Sequence, residues 1–365
     1  RFVLPALEGV LTNVTVIGMA LLAASTLGVQ ALTLGVLAGF VLQAGVLIWG
    51  NRDLLASSVR PRLAFAHPDF RGPAGHLLPL FVGSAGSVFT GLINQYFLSH
   101  AGEGAISAMA YAAMFAFLPV EVFAQAVITT VYPAFGRHFA RGDVDGAAQA
   151  FGEGVRFLLF LTVPCAVLLI VFAEPLMALL LERGAFSVEQ TAMTADIAAI
   201  LALGLVFRAA AFFNYRVLHA AVRPWLQVSI GLLGVATHLA LCQLWGDAWG
   251  PQGVAWAATV SMGQSALISL LAAMHVLRWR WPPGLWIDIG KLALIASALA
   301  AIGLLLRPFA WPADGGQRWL HAVEAMGVAA LAGGGAMLVA WALRQPDLRW
   351  MLSALSGRLR RGTAA

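Results

Sequence analysis

Four ionisable side chains sit where the surrounding sequence is otherwise apolar: Glu8, Glu121, Asp196 and Arg208. A charge within hydrocarbon is costly unless it faces protein or a water-filled cavity, so each marks a candidate ion or substrate route. Arg208 lies in the middle of LALGLVFRAAAFFNYRV, too deep for its head to reach either interface comfortably. Two chemistries fit it equally: an ion pair with an acidic residue on another helix, Glu121 first among them, or bidentate capture of a phosphate. Glu121 follows Pro119 in FLPVEVFAQ, where the proline removes a backbone donor and kinks the helix, placing freed carbonyls beside a carboxylate. That combination suits a hinge at Pro119 and a proton or cation site at Glu121; a plain partner for a buried arginine fits as well. Asp196 and Glu8 fall near span ends and read as interfacial. Among the polar residues expected within spans, Asn94 is the further candidate for substrate contact. Asn94 and Gln95 are adjacent and point to different faces, so at most one lines a given cavity. His238 and His275 lack metal-ligand spacing, and no metal is expected.

The elements that must hold these groups are set by composition. Of 365 residues, 60% are hydrophobic and 11% charged, with a mean hydropathy of +0.83, which excludes a water-soluble enzyme. Apolar runs of about 20 residues, the length that crosses about 30 Å of hydrocarbon, recur along the chain. The class is all-α: a polytopic membrane protein with ten transmembrane helices. The spans run roughly Phe2 to Ala24, Ala31 to Gly50, Leu77 to Ser99, Ile106 to Phe135, Val155 to Leu181, Ala192 to Ala221, Trp225 to Trp245, Gly253 to Leu277, Leu285 to Leu306 and Trp319 to Leu343.

The loops alternate in charge. One side collects 18 of the 22 basic residues, the other only Arg183, Arg307 and Arg318, and Arg208 stays within a span. By the positive-inside rule the 18 face the cytoplasm and both ends of the chain lie there. The longest connection, 51–76, reads as a cytoplasmic linker between helical lobes or as an interfacial segment on anionic lipid; the basic stretch 344–365 reads as a tail at the membrane surface. Cys165 and Cys242 sit in apolar runs and pack like small hydrophobes. Nucleophile elbows, phosphate loops and zinc motifs are absent, so no enzyme and no cofactor is expected, and orientation accounts for the basic charge without a nucleic acid.

Particular strings resemble a known family. LLERGAFSVEQTAMTA at Leu180 looks like the segment joining two helices in the MurJ/MviN lipid II flippases. FVLPALEGVLTN at Phe2, GAISAMAYAAMFAFLPVEVFAQAVITTVYPAF at Gly104, VRFLLFLTVPCAVLLIVFAEP at Val155 and GPQGVAWAATVS at Gly250 agree in order and spacing. The resemblance implies a two-lobed, fourteen-helix exporter fold of which this chain carries the last ten helices, the first four being missing through truncation or a shortened gene. Residues 1–50 would then end the first lobe, 77–277 form the six-helix second lobe, and 278–343 add two further helices. It also implies a bacterial inner-membrane transporter that moves a polyprenyl-diphosphate-linked peptidoglycan precursor or related glycolipid by alternating access. The family's Asp-Arg pair is replaced here by Ala113 and Met114, which leaves Arg208 as the cation for a diphosphate. A cation-coupled exporter of another amphiphile, or a non-transporting scaffold for envelope assembly, are the alternatives. The expected partners are the lipid-linked sugar diphosphate, membrane lipids and a possible coupling cation.

Overall fold

The structure, a computed structural model, describes residues 8–52, 68–121, 135–184, 186–221, 223–279, 282–311, 318–343 and 345. Among them are helices α1 (Glu8–Leu27), α2 (Gln30–Gly50), α3 (Pro68–His100), α4 (Ala105–Pro119), α5 (Val144–Val171), α6 (Ala173–Leu181), α7 (Val188–Ala220), α8 (Pro224–Leu277), α9 (Pro283–Ala310) and α10 (Arg318–Ala342), and no strand. Seven helical stretches are long and apolar enough to cross a membrane. Of the expected linker 51–76, residues 53–67 fall outside the described residues and 68–76 already belong to α3; most of the tail 344–365 and the second half of the fourth expected span also fall outside them.

The chain divides into two compact units, 1–72 and 73–365. In the first, Gly28 turns the chain with φ 55° between α1 and α2. Ala31, Gly35 and Gly39 recur every fourth residue and are the buried positions of α2. A Cβ at Gly35 would stand 3.0 Å from the Val16 Cα, and one at Gly39 3.0 Å from the Thr12 Cα. Small residues therefore let the two backbones approach, the usual way that helices associate in lipid.

In the second unit α7 is the central helix: half of its most apolar stretch is buried, more than in any other candidate span. It packs against α4, α5, α6 and α8. The segment before it explains the family-like string physically. Arg183 Nη2 donates to the Leu180 carbonyl at 2.6 Å, capping α6, and Gly184 turns the chain at φ 64°. Ser187 then starts α7 in a reciprocal capping box with Gln190.

The 54 residues of α8 include a break at Gly250, whose φ of 57° and ψ of −136° suit only glycine. The chain doubles back there, since a Cβ at Gly234 would touch the Ser265 hydroxyl at 2.7 Å. The seventh and eighth expected spans are thus two antiparallel arms, and each is long enough to cross. The fifth expected span is likewise two helices, α5 and α6, divided at Phe172.

The last two helices lie against α5 and α6. Phe160 of α5 packs with Leu292, Ile295 and Leu299 of α9 and Ala332, Ala336 and Ala340 of α10. Ion pairs flank this contact. Arg156 lies 3.7 Å from Asp288 at one end; at the other Glu174 binds Arg307 at 3.0 Å and Arg318 at 3.5 Å, while Arg318 Nε donates to Glu182 at 2.8 Å.

Outside the spans, Asp143 caps α5 by accepting from the Gly146 N–H at 2.9 Å and lies 2.8 Å from His138 Nδ1. The backbone hydrogen bond first, and then His138, hold its carboxyl below the ordinary value of 3.8. A depressed folded pKa contributes stability that is present above the unfolded value and lost as pH falls through the folded one. Hydrogen-exchange protection in the first turn of α5 is therefore expected to hold from neutral pH down to the carboxylate range and to fall below it. Asp143→Asn, which keeps an acceptor, is expected to remove that pH step.

Candidate functional site

A cavity of about 560 Å³ opens among α3, the end of α4, α7 and both arms of α8. Arg208 and Glu121 both line it. Arg208 Nη2 donates to Glu121 Oε1 at 3.4 Å, and the guanidinium lies 4.8 Å over the Phe117 ring. The side chains are 44% and 62% exposed, so this is an open pair whose partners can separate, not a sealed one that must stay paired. Pro119 ends the regular part of α4, and Val120 and Glu121 follow in a wider π turn. The missing donor of the proline and the wider turn together swing the carboxylate toward Arg208.

Tyr111, Met114 and Leu118 of α4 are exposed at helical spacing, and Glu121 just beyond the helix continues that row, so the carboxylate and Met114 share one face. Ala113 is partly buried in the core instead. Asn94 stands behind the cavity wall: His238 lines the cavity and its Nε2 donates to Asn94 Oδ1 at 2.8 Å. Asn94 therefore orients His238 and does not itself face the cavity, and neither does Gln95. Asp196 accepts from Gln252 at 2.9 Å, joining the starts of α7 and the second arm of α8.

Three hydroxyls of α3, not among the residues expected from the sequence, also belong to the site. Ser84, Ser87 and Thr90 all line the cavity. Their three-residue spacing within an apolar run was the available signal, because it puts them on one helical face. Tyr215, Ser261 and Ser265 add further polar groups from α7 and α8. Among the described residues no group of His, Cys, Asp and Glu is arranged to hold a metal ion. The site can neutralise one anionic group at Arg208, and Glu121 competes with that anion.

A family model described as "Lipid II flippase MurJ" matches residues 1–313. The chain belongs to the MurJ family. A probable lipid II flippase MurJ of Bdellovibrio bacteriovorus is 26% identical over 309 residues, 84% of this chain and 58% of that protein. Another, of Rhizobium meliloti, is 37% identical over 175 residues, 46% of this chain and 33% of that one. The chain thus spans between about a third and three-fifths of the length of these relatives. A solved structure, lipid II flippase MurJ in an inward closed conformation, superposes with a TM-score of 0.71 at 22% identity, covering 90% of this chain and 66% of that one. That likeness shows a shared fold. The MurJ family comprises multi-pass transporters of the inner membrane, and the long apolar helices here agree with that.

Proposed function

We propose that the chain works within a flippase that carries a polyprenyl-diphosphate-linked peptidoglycan precursor from the cytoplasmic to the outer leaflet. The observation that carries the site reading is the open Arg208–Glu121 pair on the cavity wall. Without substrate, Glu121 neutralises Arg208. An arriving diphosphate displaces the carboxylate, because it brings more negative charge and more acceptor oxygens to a planar guanidinium. As the lobes rock to the other side, Glu121 returns to Arg208 and speeds release. Pro119 is the hinge that lets the carboxylate swing, and Asn94 contributes by fixing His238 in the wall. Both ends of the chain face the cytoplasm on this reading.

The test is flipping of a fluorescent lipid-linked diphosphate by the full-length protein in proteoliposomes. Arg208→Ala is expected to slow flipping by about ten-fold or more, the worth of one charge-assisted contact. Glu121→Gln is expected to tighten binding while slowing turnover. Parent rates in Arg208→Ala remove this residue from the mechanism. The replacement of the Asp-Arg pair by Ala113 and Met114, with an exposed Glu121 on the same helix, favours one second reading: a cation-coupled exporter of another amphiphile. Transport of cationic amphiphiles that depends on Glu121, with none of the lipid diphosphate, would establish that one instead.

A further inference from the structure

The two arms of α8, Pro224 to Trp249 and Pro251 to Leu277, are each about 40 Å long, against about 30 Å of hydrocarbon. Their outer ends, away from Gly250, therefore stand at headgroup level. Arg223 precedes the first arm and Arg278 follows the second. Between them lies an open recess of about 770 Å³, lined by Arg223, His275 and Arg278 together with Leu271, Met274, Val276 and Trp279. It shares no lining residue with the cavity of Arg208.

Among the described residues, no carboxylate pairs with Arg223, His275 or Arg278. The first turn of α8 has no side-chain cap, so its N–H groups add partial positive charge beside Arg223. Arg278 is also the one non-glycine residue with positive φ among those described, at φ 50° and ψ 27°. It occupies the left-handed position after a helix that glycine ordinarily takes. The N–H groups of Arg278 and Trp279 bond back to the carbonyls of His275 and Met274, which fixes the turn and sets the side chain in the lining of the recess. Membrane orientation accounts for cations in these two loops, but it requires neither a recess shared between them nor a strained backbone beneath one of them.

We propose that this recess binds the phosphate of an anionic phospholipid, held between Arg223 and Arg278 with His275 at its edge. Leu271 and Met274 lie along the start of the acyl chains. The site is independent of the flippase reading. It is tested on the full chain in detergent by following the thermal unfolding midpoint against added phosphatidylglycerol, phosphatidylcholine, or inorganic phosphate at matched ionic strength. Phosphatidylglycerol is expected to raise the midpoint saturably and phosphatidylcholine to leave it unmoved. The double variant Arg223→Gln/Arg278→Gly is expected to need about ten-fold or more lipid for the same protection, while glycine relieves the positive φ and preserves the fold. Arg223→Gln alone carries the same direction of change. Arg137→Gln/Arg141→Gln, which removes two cations elsewhere, is the control. Equal protection of parent and variant, or an equal loss in the control, overturns the proposal. Protection by inorganic phosphate equal to that by the lipid, lost in the same variant, overturns the lipid as the source and assigns the recess to free phosphate.

Discussion

Phe213→Ala is expected to lower the unfolding free energy by about 3 kcal/mol, among the largest effects of any single truncation in this chain. Phe213 is 1% exposed. It lies stacked on Phe151 at 5.7 Å and tilted against Phe135 at 6.0 Å, and Phe151 in turn meets Trp279 edge-on at 5.1 Å. The ring thereby joins α7 to α5 and to Phe135, and through Phe151 to the segment leaving α8. Gly154 of α5 lies directly against its tip, so that a Cβ there would overlap the ring. In a bilayer the gain from withdrawing apolar surface from water is smaller, but the cavity left behind forfeits dispersion contacts all the same. The loss belongs at the lower end of the range for such truncations. Gly154→Leu is expected to destabilise as well, by about 1–3 kcal/mol of overpacking. The two changes are coupled: in a Phe213→Leu background Gly154→Ala is tolerated better than in the parent. Unfolding in detergent followed through a double-mutant cycle measures this, and strict additivity would contradict the geometry.

Gly253→Ala carries a comparable effect for a different reason. A Cβ at this position would overlap the carbonyl of Trp245, which is backbone and cannot rotate away. Relief requires the turn around Gly250 to open, and the stacking of Trp245 on Trp249 at 5.4 Å goes with it. A loss of about 2–3 kcal/mol is expected. Cavity shape changes too, because Gly231 to Val235 on one arm face Ala258 to Ser265 on the other. Gly231→Ala in the same helix meets nothing within 4 Å and is expected to leave the unfolding midpoint unchanged or slightly raised. Equal midpoints for the two alanine variants would refute the steric argument.

Much of this architecture could be read from the sequence, because span length and loop charge follow from the thickness of hydrocarbon and the cost of moving arginine across it. The proximity of Glu121 and Arg208 was anticipated on that same cost. Their openness was not, since periodicity says which residues share a face but not how much space lies before it. The hydrogen bond between Asn94 and His238 joins positions 144 apart, and no local pattern encodes such a contact. The aromatic cluster around Phe213 was hidden for a related reason: in a chain that is apolar throughout, a core phenylalanine and a lipid-facing one look alike. Arg307 and Arg318 counted against the charge bias, and the structure gives them a local reason to be there in Glu174 and Glu182.

The ion pairs flanking the α5–α9 contact have a mechanical consequence. Arg156 with Asp288, and Glu174 with Arg307, keep nearly the same register and lie about 27 Å apart along the helices. Sliding α9 past α5 by even one turn would unseat both at once, and rotation about either pin alone is blocked by the other. The two C-terminal helices are therefore carried by α5 and α6 and change position by tilting together with that pair, not by their own shear.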